Sequence, residues 1–272
     1  MAVFTPTEVI GHRGAGRGSA GGLRENTVAS YLAAAEAGAS WVEIDVRRTA
    51  DDALVLYHDA APAGGRPVVD LTAAQCREAG LVPLEEALAA LPPEVGLDVD
   101  VKTVMEDAVD PPERRTGALL APVLRREAER RRLFVCSFDP AVLLQVHREV
   151  PGVPTAWMPF VRNPLDQAVA GAAGLGCAIV AIDARSFGLS GDAPRPGRRS
   201  VGYTVDVAHR AGLEVVSWCP DPVDAARFAE AGVDAVVVDD VPGVVAALKE
   251  GSGREGSGEE GPGEDAAPGG DR

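Results

Sequence analysis

Apolar residues recur in short runs of four to seven, separated by alanine-rich stretches with helical spacing. The runs are Glu8–Gly11, Trp41–Val46, Leu54–His58, Gly96–Lys102, Leu133–Ser137, Val153–Trp157, Ala178–Ile182, Glu214–Trp218 and Asp234–Val238. Their length and β-branched content predict buried strands. Between them, Thr27–Ala37, Pro83–Ala90, Gly117–Arg131, Pro140–Glu149, Leu165–Ala173, Ser200–Ala211 and Pro222–Ala231 predict helices. Gly38, Gly212 and Gly232 stand where a helix would end in a left-handed cap. Strand and helix alternating about eight times predict a single (β/α)₈ TIM barrel. Leu54–His58 follows Trp41–Val46 after the turn-like Thr49-Ala50-Asp51-Asp52 and predicts a small hairpin insertion after the second strand.

The C-terminal stretch is different material. From Gly251 to Arg272 it has no aromatic or β-branched residue, so it cannot bury enough apolar surface to offset its ordering entropy. The sequence therefore predicts a barrel over 1–248 and an acidic, Gly-rich disordered tail over 249–272. The chain's formal net charge is −15, of which the tail carries −4. Such a field repels phosphate polymers, which argues against nucleic acid as a partner. No run approaches the roughly 18 apolar residues of a membrane span. With no visible signal peptide and four widely spaced cysteines lacking any CxxC pair, a reducing, cytoplasmic setting is expected.

In such a barrel the chemistry gathers at the C-terminal ends of the strands. The first strand leads into His12-Arg13, and the hairpin run into His58-Asp59. Alternation puts Glu43 and Asp45 on one face of the second strand, and Asp98, Asp100 and Lys102 on one face of the next. Several carboxylates facing inward are costly unless a cation pairs them. They predict an oxygen-ligand site for a hard divalent ion, Mg²⁺ or Ca²⁺. With two imidazoles, Arg13 and Lys102 at the same rim, the set suits phosphoryl transfer. Gly16–Gly21 formally matches GxGxxG, but His12, Arg13 and the paired inward acids disfavour a dinucleotide site. The Arg125–Arg132 run predicts a solvated helix face, His147 and His209 outer or packing positions, and the cysteines small core residues.

These residues also carry a resemblance. His12-Arg13-Gly14, Glu25-Asn26-Thr27, Glu43-Ile44-Asp45-Val46 and His58-Asp59 resemble the opening signature of the glycerophosphodiester phosphodiesterase family. It continues in order through Leu97–Lys102, Cys136–Asp139, Val215–Trp218 and Gly232–Asp239. The resemblance implies hydrolysis of small glycerophosphodiesters to sn-glycerol 3-phosphate and an alcohol, with a bound divalent metal. It implies Glu43, Asp45 and Asp100 as metal ligands, and His12 and His58 as the acid/base pair. Arg13 and Lys102 would grip phosphate, Phe138 and Trp218 would wall the pocket, and Glu25, Asp59 and Asp98 would support the site. His12 as base and His58 as acid is one assignment; the swapped one stays open, as does attack by water or by the glycerol 2-hydroxyl. Asp100 stands where the family usually has Glu, the 14–22 loop is unusually Gly-rich, and Cys219-Pro220-Asp221 replaces a usual Thr-Val-Asn. Those departures bear on substrate preference. The rival readings are a catalytically silent phosphodiester- or partner-binding barrel, or phospholipase C- or D-like activity on a related lipid.

Overall fold

A computed structural model describes residues 2–5, 7–161, 163–187 and 199–255. Eight parallel strands close into a barrel: β1 (Glu8–Gly11), β2 (Trp41–Arg48), β3 (Gly96–Val101), β4 (Leu133–Ser137), β5 (Thr155–Trp157), β6 (Ile179–Asp183), β7 (Glu214–Trp218) and β8 (Ala235–Val238). Closure comes from β1, which pairs with β8 (Glu8 beside Ala235) and with β2 (Ile10 beside Trp41). The chain is thus a (β/α)₈ TIM barrel, with Leu54–Leu56 antiparallel to β2 as the expected hairpin piece.

Two apolar layers hold it. Outward-facing Val42, Ile44, Val46, Leu97, Val99 and Val101 pack beneath the helices. Inside, the bottom of the barrel is filled by aromatics: Phe4, Trp41 and Phe134 have ring centroids 5.3–5.7 Å apart. Gly96 is required there, because a Cβ would stand 2.3 Å from the Trp41 ring. At the bottom the Glu8 carboxylate accepts from the Trp41 indole N–H and Glu214 from the Phe4 N–H; the inward acids of β2 and β3 stand above, where the strands exit.

The Gly-rich stretch after β1 forms a two-stranded hairpin, Ser19–Ala20 with Leu23–Arg24. The first helix, α1 (Val28–Glu36), starts only after it, with Thr27 accepting from the Ser30 N–H. No helix N-terminus thus follows β1 directly, as a dinucleotide loop needs. The final helix (Val241–Glu255) runs into the segment expected to be tail, so the tail expectation for 249–255 is corrected to helix. Residues 256–272 lie outside the described residues. The 125–132 run is exposed as expected at Arg125, Arg126, Arg130 and Arg132, but is corrected at Arg131, whose side chain is fully buried. Arg131 pairs with Glu127 at 2.9 Å and donates to the carbonyls of Leu88, Leu91 and Pro92. Arg132 lies over the Trp41 ring, 4.8 Å from its centroid. A charge run with helical spacing does not reveal which arginine turns inward.

Candidate active site

Parallel register assembles the acids. Glu43 on β2 stands beside Asp98 on β3, and Asp45 beside Asp100. All four are buried. Glu43, Asp45 and Asp100 each place a carboxylate oxygen within 4.8 Å of the others. Asp98 lines the same cleft one layer down, outside that trio. Two cations balance the trio. Lys102 Nζ lies 2.9 Å from Asp45 Oδ1 and bonds Asp100, while Arg13 Nε lies 3.4 Å from Asp45 Oδ2.

Burial and the neighbouring carboxylates Asp45 and Asp100 push the Glu43 carboxyl well above its usual range. Burial would raise Asp45 too, but Lys102 and Arg13 pull it down to about 2. Burial lifts Asp100, and lifts Asp98 to about 8. Asp100 Oδ1 and Asp98 Oδ1 have no hydrogen-bond partner among the described residues. An all-oxygen donor set with unspent buried lone pairs fits a hard divalent cation.

The raised Asp98 carries a stability prediction. Its folded-state value of about 8 lies above the ~3.9 of an unfolded chain, so the folded protein holds the extra proton. Stability of chelator-treated protein should therefore fall as pH rises through about 4 to 8. Asp98→Asn is expected to flatten that slope in thermal melts, and an unchanged slope would reject the assignment.

His12 and His58 both face this cleft. His12 Nδ1 is 2.8 Å from Asp239 Oδ1, and His58 Nδ1 is 2.7 Å from Asp59 Oδ1. A carboxylate at Nδ1 fixes the tautomer with a proton there and leaves Nε2 as acceptor. The His58 carbonyl also receives two bonds from the Arg47 guanidinium, at 2.6 and 3.1 Å, which anchors the loop. Arg13 adopts φ 53, and its N–H donates to Glu43 Oε2 at 2.7 Å. Glu25 accepts from Arg13 Nη1 at 2.9 Å, so it orients the guanidinium. Phe138 and Trp218 meet edge to face, centroids 6.0 Å apart, as one wall; exposed Phe160 stacks on Phe138 at 5.1 Å.

Every residue expected at the site lies in or against this cleft. Three others, present in the motif stretches of the sequence but given no role there, also meet the site. Asp239 directly follows β8 and holds both His12 and Arg17, the latter through Nε at 2.7 Å. Burial opposes its charge, yet the bond from His12 and the charge of Arg17 hold its carboxyl down at about 2. Asn26, at φ 54, donates to Asp45 Oδ2 at 2.7 Å and is itself fixed by the Tyr31 hydroxyl at 2.9 Å. Cys219, at φ 58, places Sγ 3.7 Å from His12 Nδ1. Burial and then Asp239 push that thiol up to about 12.

The sequence profile of the glycerophosphoryl diester phosphodiesterase family matches residues 12–242, from the first site histidine past Asp239. The chain belongs to this family. A glycerophosphocholine phosphodiesterase of Candida albicans is 54% identical over 57 residues, which are 20% of this chain and 5% of that protein. Its counterpart from Eremothecium gossypii is 53% identical over 57 residues, 20% of this chain and 4% of that protein. The match thus spans about one-twentieth of those curated relatives. Among solved structures, a glycerophosphodiester phosphodiesterase from Thermotoga maritima superposes with TM-score 0.67 at 21% identity, covering 88% of this chain and 97% of that one. An Oleispira antarctica phosphodiesterase, solved with its product sn-glycerol-3-phosphate, gives TM-score 0.70 at 22% identity, covering 89% and 96%. At such identities the family fold is what is shared. No helix among the described residues is long and apolar enough to cross a membrane.

Proposed function

We propose that this member of the family hydrolyses glycerophosphodiesters to sn-glycerol 3-phosphate and an alcohol. The observation that carries the reading is the meeting of two carboxylate-oriented histidines with three buried acids in one cleft. Glu43, Asp45 and Asp100 would hold Mg²⁺ or Ca²⁺. The bound ion would act as a Lewis acid, neutralising charge on the phosphoryl oxygens.

The chain's own residues do the rest. Arg13 and Lys102 now spend their charge on Asp45 and its neighbours. Once those acids are otherwise neutralised, both cations are free to grip the phosphate. His12 Nε2 accepts a proton from the nucleophile, its imidazolium stabilised through Nδ1–H by Asp239. His58, partnered by Asp59, delivers a proton to the leaving alkoxide. Phe138 and Trp218 give the alcohol an apolar wall. The described residues with this chemistry all lie within 1–248, which we take as the catalytic unit, and we place the protein in the cytoplasm.

The test is metal-dependent release of glycerol 3-phosphate from glycerophosphocholine, -ethanolamine, -inositol and -glycerol. Release with Mg²⁺ or Ca²⁺, abolished by chelator, is expected. Binding of those compounds without release would favour a silent barrel. Turnover of lysophospholipid alone would favour the lipid phosphodiesterase reading.

A further inference from the structure

Beside the all-oxygen acid cluster lies a donor set of opposite character: the imidazole of His12, the thiol of Cys219 and the carboxylate of Asp239, their ligand atoms within 4.8 Å of one another. We propose that His12, Cys219 and Asp239 form a second metal site, selective for a thiophilic ion such as Zn²⁺, whose occupation inhibits the proposed hydrolase.

Geometry is the first support. Zinc bonds of about 2.0–2.1 Å to nitrogen and about 2.3 Å to sulfur set tetrahedral ligand atoms about 3.6 Å apart. Cys219 Sγ and His12 Nδ1 are 3.7 Å apart. The imidazole and carboxylate atoms, now 2.8 Å apart in a hydrogen bond, open by about 0.5 Å to reach tetrahedral spacing, with Arg17 still held on the other carboxylate oxygen at 2.7 Å. The backbone preforms the third donor. Cys219 sits in the left-handed region at φ 58, and its N–H donates to Val237 O at 2.8 Å. Access is open, because His12, Arg17 and Cys219 line the cleft and Asp239 is one-third exposed.

Donor chemistry separates the two sites. A thiolate with imidazole selects Zn²⁺, whereas carboxylates alone suit Mg²⁺ or Ca²⁺. Binding needs no redox partner. The Cys219 thiol proton leaves to solvent, and the single proton of neutral His12 moves from Nδ1 to Nε2 as the ion takes Nδ1. His12 then carries a proton on the nitrogen proposed as the base, so proton acceptance there is blocked. That consequence rests on the function proposed above; the site itself does not.

The experiment is a Cd²⁺ titration of the metal-stripped full chain with saturating Mg²⁺ present, reading the ultraviolet thiolate-to-cadmium absorption, with Zn²⁺ as competitor. One thiolate band per chain is expected, lost in Cys219→Ser and retained in Cys136→Ser. Asp239→Asn should weaken Zn²⁺ at least as much as loss of an outer-shell partner does, about 10–100-fold. No band, a band surviving Cys219→Ser, a band lost in Cys136→Ser, or displacement by excess Mg²⁺ would overturn the site. In the activity arm, Zn²⁺ should inhibit the parent at concentrations at least about tenfold below those needed for Cys219→Ser, each against its own uninhibited rate. Equal sensitivity would overturn the inhibitory role. Should no diester be hydrolysed, the proposed function fails while the cadmium band still decides the site.

Discussion

Replacing His12 or His58 by alanine is expected to lower kcat on a glycerophosphodiester by about 10²–10⁴-fold, the range that one positioned acid or base contributes. KM and the metal-induced rise in melting temperature should change little, because the two rings are bonded to Asp239 and Asp59 rather than to the Glu43–Asp45–Asp100 trio. The two variants should differ in substrate dependence. With an alcohol of low pKa, protonation of the leaving oxygen matters less, so the loss for the acid's variant shrinks while that for the base's variant persists. An aryl glycerophosphodiester therefore identifies the acid: rescue of His58→Ala supports His58 in that role, and rescue of His12→Ala reverses the pair. Near-normal turnover in both variants, with metal present, would sink the mechanism. Asp239→Asn should fall between parent and His12→Ala, since it removes the carboxylate 2.8 Å from Nδ1 while leaving the ring in place.

Most of the barrel is legible in the sequence because its signal is local. A β2 sequence such as Trp41-Val42-Glu43-Ile44-Asp45-Val46 states both its strand character and its inward face by alternation alone. Two such strands side by side, Glu43 next to Asp98 and Asp45 next to Asp100, need only parallel register to become a cluster. What escapes is whatever depends on distant chain returning to the site. Asp239 lies 227 positions from His12, and it follows a plain valine run with no alternation to mark it. Cys219 reads as core, because a left-handed turn after a strand is not written in the cysteine itself. Asn26 stands in the Glu25-Asn26-Thr27 motif, yet its bond to Asp45 depends on the hairpin that reshapes the Gly-rich loop. Arg131 escapes for a related reason: the helix stops at Ala128, and only the turn beyond it brings the guanidinium onto the carbonyls of Leu88 and Leu91.

Lys102→Met is expected to move metal affinity and catalysis in opposite directions. Lys102 is buried between Asp45 and Asp100, and those carboxylates hold it charged against the cost of burial. Without a divalent ion it is the main counter-charge to three acids, so its loss leaves buried like charges unpaired. Breaking such a pair costs about 3–5 kcal/mol, and the chelated variant should melt well below the parent. The same deletion removes a competitor for the acids and a positive charge that repels an incoming cation. At an effective dielectric near 20, one unit charge at about 4 Å is worth about 4 kcal/mol. After relaxation a part of that should survive as Mg²⁺ or Ca²⁺ affinity tightened by about 10–100-fold. Saturating metal stabilises by RT ln(1 + [L]/Kd), so the variant's melting temperature should climb further on metal addition than the parent's. Catalysis should nevertheless fall by about 10²-fold or more in kcat/KM, since a cation proposed to grip the phosphate is gone. Calorimetric metal titration and steady-state kinetics on the same preparation separate the effects. If the variant binds metal more weakly than the parent, Glu43, Asp45 and Asp100 are not the ligand set. If it binds tighter and keeps full kcat/KM, they are, and Lys102 only keeps the metal-free acids apart from one another's charge.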